Sequence, residues 1–156
     1  YIEPVLDFPH EGILYRDIQP LLEDDFMFSS AINELGNKVE TPTYWVGIES
    51  RGFLLAAALS MKFGGGVKMI RKQGKLPDRN HALHQVEYDL EYGSATIEMK
   101  PGNGDVVIVD DVYATGGTME AAEQLCEMSG YDVTDKLCLV DIGLKKGHDV
   151  KCLIEY

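Results

Sequence analysis

Residues 106–118 read VVIVDDVYATGGT, and no other stretch limits the fold so closely. Four apolar residues from Val106 to Val109 predict a buried strand. Asp110 and Asp111 stand at its C-terminal end, a loop of small residues follows, and MEAAEQLCEM at 119–128 reads as a helix. A strand, an acidic pair, a glycine loop and a helix N-terminus together make a place for a phosphorylated sugar. Unpaired N–H groups of the loop and first helical turn attract a phosphate. Gly116 and Gly117 allow close backbone approach, and Thr115 and Thr118 add hydroxyl donors. The two carboxylates can accept from ribose hydroxyls or hold waters around a Mg²⁺ ion. The loop lacks the lysine of a P-loop and does not spell G-x-G-x-x-G. A plain strand–turn–helix would have no use for two adjacent carboxylates beside a buried strand.

The rest of the chain alternates strands and helices. A helix is expected over 25–39 with Phe26, Ala31, Ile32 and Leu35 inward, then a strand at 44–48 and a short loop at 49–52. An apolar helix over 53–63 and a strand at 67–70 come next. From 71 to 92 the pattern breaks: the segment is polar, holds Gly74 and Pro77, and shows no sustained period. Long irregular excursions of this kind are usually functional or mobile. Further strands are expected at 94–99, 137–142 and 152–156. The alternation predicts an α/β fold, a mostly parallel twisted sheet flanked by helices.

Composition bounds the function. The 156 residues suit one domain spanning 1–156, and the formal net charge of −12 disfavours nucleic acid as a partner. It is compatible with a phosphorylated small molecule accompanied by a divalent cation. No apolar run is long enough for a membrane span. No secretory leader is evident; the chain opens on Tyr1 instead of Met, so that reading carries little weight. Cys126, Cys138 and Cys152 are too widely spaced for a zinc site; Cys126 and Cys138 read as small core residues in a reducing cytoplasm.

Five segments, in order, carry a resemblance that covers most of the chain. The 106–118 stretch resembles the 5-phosphoribosyl 1-pyrophosphate (PRPP) loop of type I phosphoribosyltransferases. DFPHEGILYRDI at 7–18, GIESRGFLLAAALS at 47–60, IRKQGKLP at 70–77 and LEYGSATIEM at 90–99 are similar to segments of the adenine phosphoribosyltransferases. The resemblance implies the type I phosphoribosyltransferase fold with a small N-terminal hood (1–20) and a mobile loop (71–92). It implies a cytoplasmic homodimer of purine salvage that transfers phosphoribosyl from PRPP to adenine, giving AMP and pyrophosphate, with Mg²⁺.

Residue roles follow by position. Asp110, Asp111, Ala114, Thr115, Gly116, Gly117 and Thr118 would hold the ribose and 5′-phosphate. Ser50 and Arg51 would face the pyrophosphate, Arg51 through its two-pronged guanidinium; the same Arg would also serve as a turn cap. Arg71 and Lys75 would bring cations to the pyrophosphate when the loop closes, or stand solvated on it, and Lys72 is left open. His81 and His84 are expected to be exposed. The backbone of Leu14 and Arg16 would read the base edge while Tyr15 stacks on it, although the same residues also suit a short packing strand. Glu91 would exchange a proton with the purine, with Tyr92 beside it. Ala114 stands where enzymes for 6-oxopurines carry an acid, which favours a 6-aminopurine. Alternatives are a phosphoribosyltransferase for xanthine or hypoxanthine, and a non-catalytic PRPP- or nucleotide-sensing regulator. Tyr113 replaces a more familiar aliphatic residue, loop 78–89 is unusual, and the segment before DFP is short.

Overall fold

In a computed structural model, described for residues 1–80, 82–90 and 93–156, the chain opens with a hairpin. Strands β1 (Glu3–Leu6) and β2 (Leu14–Asp17) pair antiparallel and stand apart from the main sheet as the hood. Two helices follow, α1 (Gln19–Glu23) and α2 (Asp25–Gly36). The Asp24 carboxylate accepts from the Met27 N–H at 2.9 Å and so caps the start of α2. Neither β1 nor α1 was expected from sequence. Strand β3 (Tyr44–Ile48), helix α3 (Gly52–Phe63) and strand β4 (Gly66–Lys72) come next. The remainder is β5 (His84–Asp89), β6 (Ser94–Met99), β7 (Asp105–Tyr113), α4 (Gly117–Met128), β8 (Asp132–Asp141) and β9 (Lys151–Glu155).

The main sheet runs β5-β6-β4-β3-β7-β8-β9, parallel from β4 to β9 and antiparallel at β6 and β5. Side-chain alternation divides the core. Val46, Ile48, Val106 and Ile108 turn toward α4 with Leu125 and Cys126, while Trp45, Val107 and Val109 turn toward α2 and α3 with Leu35, Leu55 and Leu59. The expected α/β class with a mostly parallel sheet is what the chain forms.

Two expectations are corrected. Phe26 points outward, 75% exposed, while Ala31, Ile32 and Leu35 are buried. It lies five residues before Ala31, about 140° away around a helix of 3.6 residues per turn; Met27 and Phe28 take the inward direction. The irregular segment is also shorter than 71–92. Arg71 and Lys72 belong to β4, and β5 pairs with β6 from His84↔Met99 to Asp89↔Ser94. As an edge strand, β5 turns Val86 and Tyr88 to the core and is polar elsewhere, too weak an alternation to register among polar neighbours.

Candidate active site

The site forms where the chain changes direction across the sheet. From β3 the chain proceeds to β4 on one side, and from β7 to β8 on the other. The crevice beyond the C-terminal ends of two such neighbouring strands is where open α/β sheets bind ligands. Both strands lead directly into helices, α3 and α4, and neither helix has a side-chain N-cap. At α4 the first-turn N–H groups are left to a ligand, whereas at α3 Phe53 and Leu54 already donate to the Ser50 and Arg51 carbonyls; the positive ends of both dipoles favour an anion. Gly116 precedes α4 at φ +92°, a conformation open to glycine. Gly52 begins α3 so close to β7 that a Cβ would sit 2.6 Å from the Val109 carbonyl oxygen.

The acidic pair lies within β7, which continues to Tyr113, instead of closing it. Val109 and Val112 both pack on the α3 side, so strict alternation lapses across the pair. The two side chains stay neighbours but meet different surroundings. Asp111 is buried and meets Arg51 Nε at 2.8 Å. The contact is ionic, since no N–H is aimed at Oδ2. Asp110 lines a cavity of about 60 Å³ beneath the loop with Ala114, Thr115, Gly116 and Thr118. Burial first, and then the neighbouring Asp111 charge, push the Asp110 carboxyl well above the usual carboxylate range. The buried Tyr113 hydroxyl lies under Gly116 and its ring meets His148 at 4.2 Å, which explains an aromatic residue in that place.

A larger cavity of about 830 Å³ adjoins the first, sharing Val112, Ala114, Thr115 and Thr118. It brings together Leu14, Tyr15 and Arg16 from the hood, Arg51 from the β3–α3 loop, and Gly117 from α4. Sequence reasoning missed its apolar wall of Ile13, Val112, Ile142 and Leu144. Val112, two residues before Ala114, carried a usable signal; Ile142 and Leu144 come from beyond β8 and carried none.

Arg51 is the hub between hood and sheet. Its Nη1 donates to Tyr15 Oη at 2.7 Å and to the Arg16 carbonyl at 3.2 Å, with the guanidinium 4.8 Å from the Tyr15 ring centre. The Arg16 carbonyl and one face of Tyr15, both expected to meet a base, are thus engaged by Arg51 in this structure. Ser50, exposed, follows a cis Glu49–Ser50 peptide and accepts from the Phe53 N–H. Arg71 and Lys75 lie at the same sheet end but outside the lining of the main cavity. Arg71 pairs with Glu49 at 3.3 Å and donates to the Lys75 carbonyl at 3.2 Å. His84 is half-buried on β5 instead of exposed. Glu91 and Tyr92, the expected proton-handling pair, lie outside the described residues, as does His81. Asp89 and Leu90, which precede Glu91 in sequence, line the main cavity. Among the described residues no group of three or more His, Cys, Asp or Glu side chains converges to hold a metal. Nor is any helix of the described residues long and apolar enough to cross a membrane.

A helix start that attracts an anion therefore adjoins a cavity with an apolar wall. The model of the phosphoribosyl transferase domain matches residues 20–152. The adenine phosphoribosyltransferase of Hydrogenovibrio crunogenus is 48% identical over 146 residues, 91% of this chain and 83% of that protein. That of Carboxydothermus hydrogenoformans is 45% identical across 100% of this chain and 97% of its own length. Among solved structures, the adenine phosphoribosyltransferase of Thermoanaerobacter pseudethanolicus superposes with a TM-score of 0.88 at 34% identity, covering 99% of this chain and 95% of that one. The Giardia lamblia enzyme complexed with 9-deazaadenine gives 0.89 at 32% identity, covering 99% and 93%. The chain belongs to the phosphoribosyltransferase family and, within it, to the adenine phosphoribosyltransferases.

Proposed function

We propose that this protein transfers the 5-phosphoribosyl group of PRPP to adenine in purine salvage, releasing AMP and pyrophosphate. The observation that carries the reading is the junction of two cavities. A loop with an acidic pair and an uncapped helix suits ribose and 5′-phosphate, and it opens into a cavity beneath the hood that has an apolar wall and ample room for a purine. The reaction breaks the C1–O bond to pyrophosphate and forms a C1–N bond, so the protein must hold both partners in line and stabilise departing charge. Thr115, Gly116, Gly117 and Thr118 would seat the 5′-phosphate on the first turn of α4, with Ala114 lining the ribose side. Asp110 and Asp111 would accept from the ribose hydroxyls. Ser50 and Arg51 would meet the pyrophosphate, helped by Arg71 and Lys75, once Arg51 releases its hood contacts. Leu14, Tyr15 and Arg16 would present the base against Val112 and Ile142. Glu91, with Tyr92, would take the ring proton that adenine loses.

Hard carboxylate oxygens suit Mg²⁺, but Asp111 already faces a guanidinium. The ion would be held chiefly by PRPP oxygens, with Asp110 and Asp111 reaching it through water, and would neutralise charge on the pyrophosphate. We infer a homodimer as well, from an exposed apolar strip. Leu54 and Met61 lie one heptad apart on α3, and Val67 and Met69 share the Trp45 face of the sheet beside it. A single domain and a cytoplasmic setting, where three buried free cysteines would stay reduced, complete the reading. PRPP-dependent formation of AMP by the purified protein tests it. Turnover of hypoxanthine or xanthine in place of adenine, or no turnover at all, would refute it.

A further inference from the structure

Glu98 is a charged residue in the wrong place for a surface strand. It sits on β6 between Arg71 of β4 and Gln85 of β5, and is 1% exposed. Among the described residues, none of its hydrogen bonds comes from a cationic side chain. Oε1 accepts from the backbone N–H of Lys75 at 3.1 Å and of Leu76 at 2.9 Å, and Oε2 accepts from Gln85 Nε2 at 3.1 Å. Burial alone would raise its pKa; the N–H groups of Leu76, Gly74 and Lys75 and the Gln85 amide outweigh that and hold the carboxyl below the usual glutamate range.

Three further hydrogen bonds hold the same turn. Glu49 Oε2 accepts from the Lys72 N–H at 2.8 Å, Gln73 N–H donates to the Thr96 carbonyl at 3.0 Å, and Lys75 N–H also reaches the Lys72 carbonyl at 3.2 Å. Glu49 immediately precedes Ser50 and Arg51, so the turn is tied to the loop that faces the pyrophosphate. The N–H groups of Lys72, Gln73, Lys75 and Leu76 are all engaged.

We propose that Glu98 is a positioning residue for PRPP: a buried carboxylate that pins the turn after β4 and so presents Lys75 in fixed relation to Ser50 and Arg51. The inference rests on the reading that Lys75 serves the pyrophosphate. Lys75 is then part of a preformed rim, and any closure of the loop begins beyond Leu76.

The test pairs Glu98→Met, which keeps bulk and removes both acceptors, with Glu98→Gln, which keeps an acceptor for the turn while Gln85 can turn its own amide. Glu98→Met should raise the KM for PRPP by roughly tenfold, since a misplacement of about 1 Å can cost up to about 100-fold, with the KM for adenine within about twofold. Glu98→Gln should restore most of the loss. Lys75→Ala alone should reproduce the Glu98→Met effect, and the double variant should add little to it, a non-additivity that a merely structural role would not produce. A PRPP KM that rises in Lys75→Ala but not in Glu98→Met, or full additivity, overturns the proposal and leaves the Lys75 reading standing. An unchanged KM in Lys75→Ala overturns that reading and the proposal with it. Should Glu98→Met fail to fold, hydrogen exchange of the wild-type protein decides. Lys75 and Leu76 amides should exchange far more slowly than those of Arg79 and Asn80; equal rates overturn the proposal.

Discussion

At Asp110, position alone sets the chemistry: a carboxyl under a closed loop beside a second carboxylate keeps its proton to higher pH than a free aspartate. The native state then binds a proton that the unfolded chain has lost. Stability therefore falls as pH rises from the ordinary aspartate value toward the native one. Asp110→Asn should raise the melting temperature of the ligand-free protein at neutral pH and change it little below the unfolded aspartate value, as differential scanning calorimetry would show. A lower melting temperature at neutral pH would contradict the shift. With Asp111→Asn added, the ligand side of the same residue should emerge. Each charge-assisted hydrogen bond is worth roughly 1.5–3 kcal/mol, so Mg-PRPP affinity measured by titration calorimetry should fall at least tenfold while the protein stays folded. Glu91→Gln removes the proposed base but keeps its size. Single-turnover AMP formation should slow by about 10²–10⁴-fold with little change in PRPP affinity; a wild-type rate would clear Glu91 of the role.

Among the elements, β5 and the turn after β4 hold most of the described residues of the segment that reads as irregular in sequence. The pairing of β5 with β6, reinforced by Ser94 Oγ donating to Glu87 Oε1 at 2.8 Å, secures 84–89, and the Glu98 and Glu49 carboxylates secure 72–76. Limited trypsin digestion should therefore cut after Arg79 while sparing Lys72 and Lys75, and Mg-PRPP with an inert adenine analogue should slow the cut. Cleavage at Lys72 as fast as at Arg79 would count against a rigid turn. The β7–loop–α4 element was legible from its residues because everything that defines it is contiguous: apolar run, acids, glycines and helix. The β5 strand was not, because an edge strand shows one apolar face only at alternate positions, and Val86 and Tyr88 alone carry it.

For the whole molecule, the strip of Leu54, Met61, Val67 and Met69 predicts a dimer by sedimentation equilibrium. Met61→Asp with Met69→Asp should shift it to monomer, and a wild-type monomer at micromolar concentration would refute the interface. Burial pushes the Cys126 and Cys152 thiols up to about 12, so alkylation at neutral pH should await unfolding. Sequence by itself determined the alternation of α2, β3, α3, β4, β6, β7, α4, β8 and β9 that makes an α/β fold, since this is a local property of composition and period; the residues expected at ribose, pyrophosphate and base owe their roles largely to the resemblance. Tertiary structure alone decided that Arg51 meets Asp111 and Tyr15, that Ile142 and Leu144 wall the pocket, and that Glu98 holds a turn more than 20 residues away. Each of these depends on which strand pairs with which, and periodicity reports that a face is apolar without saying what will cover it.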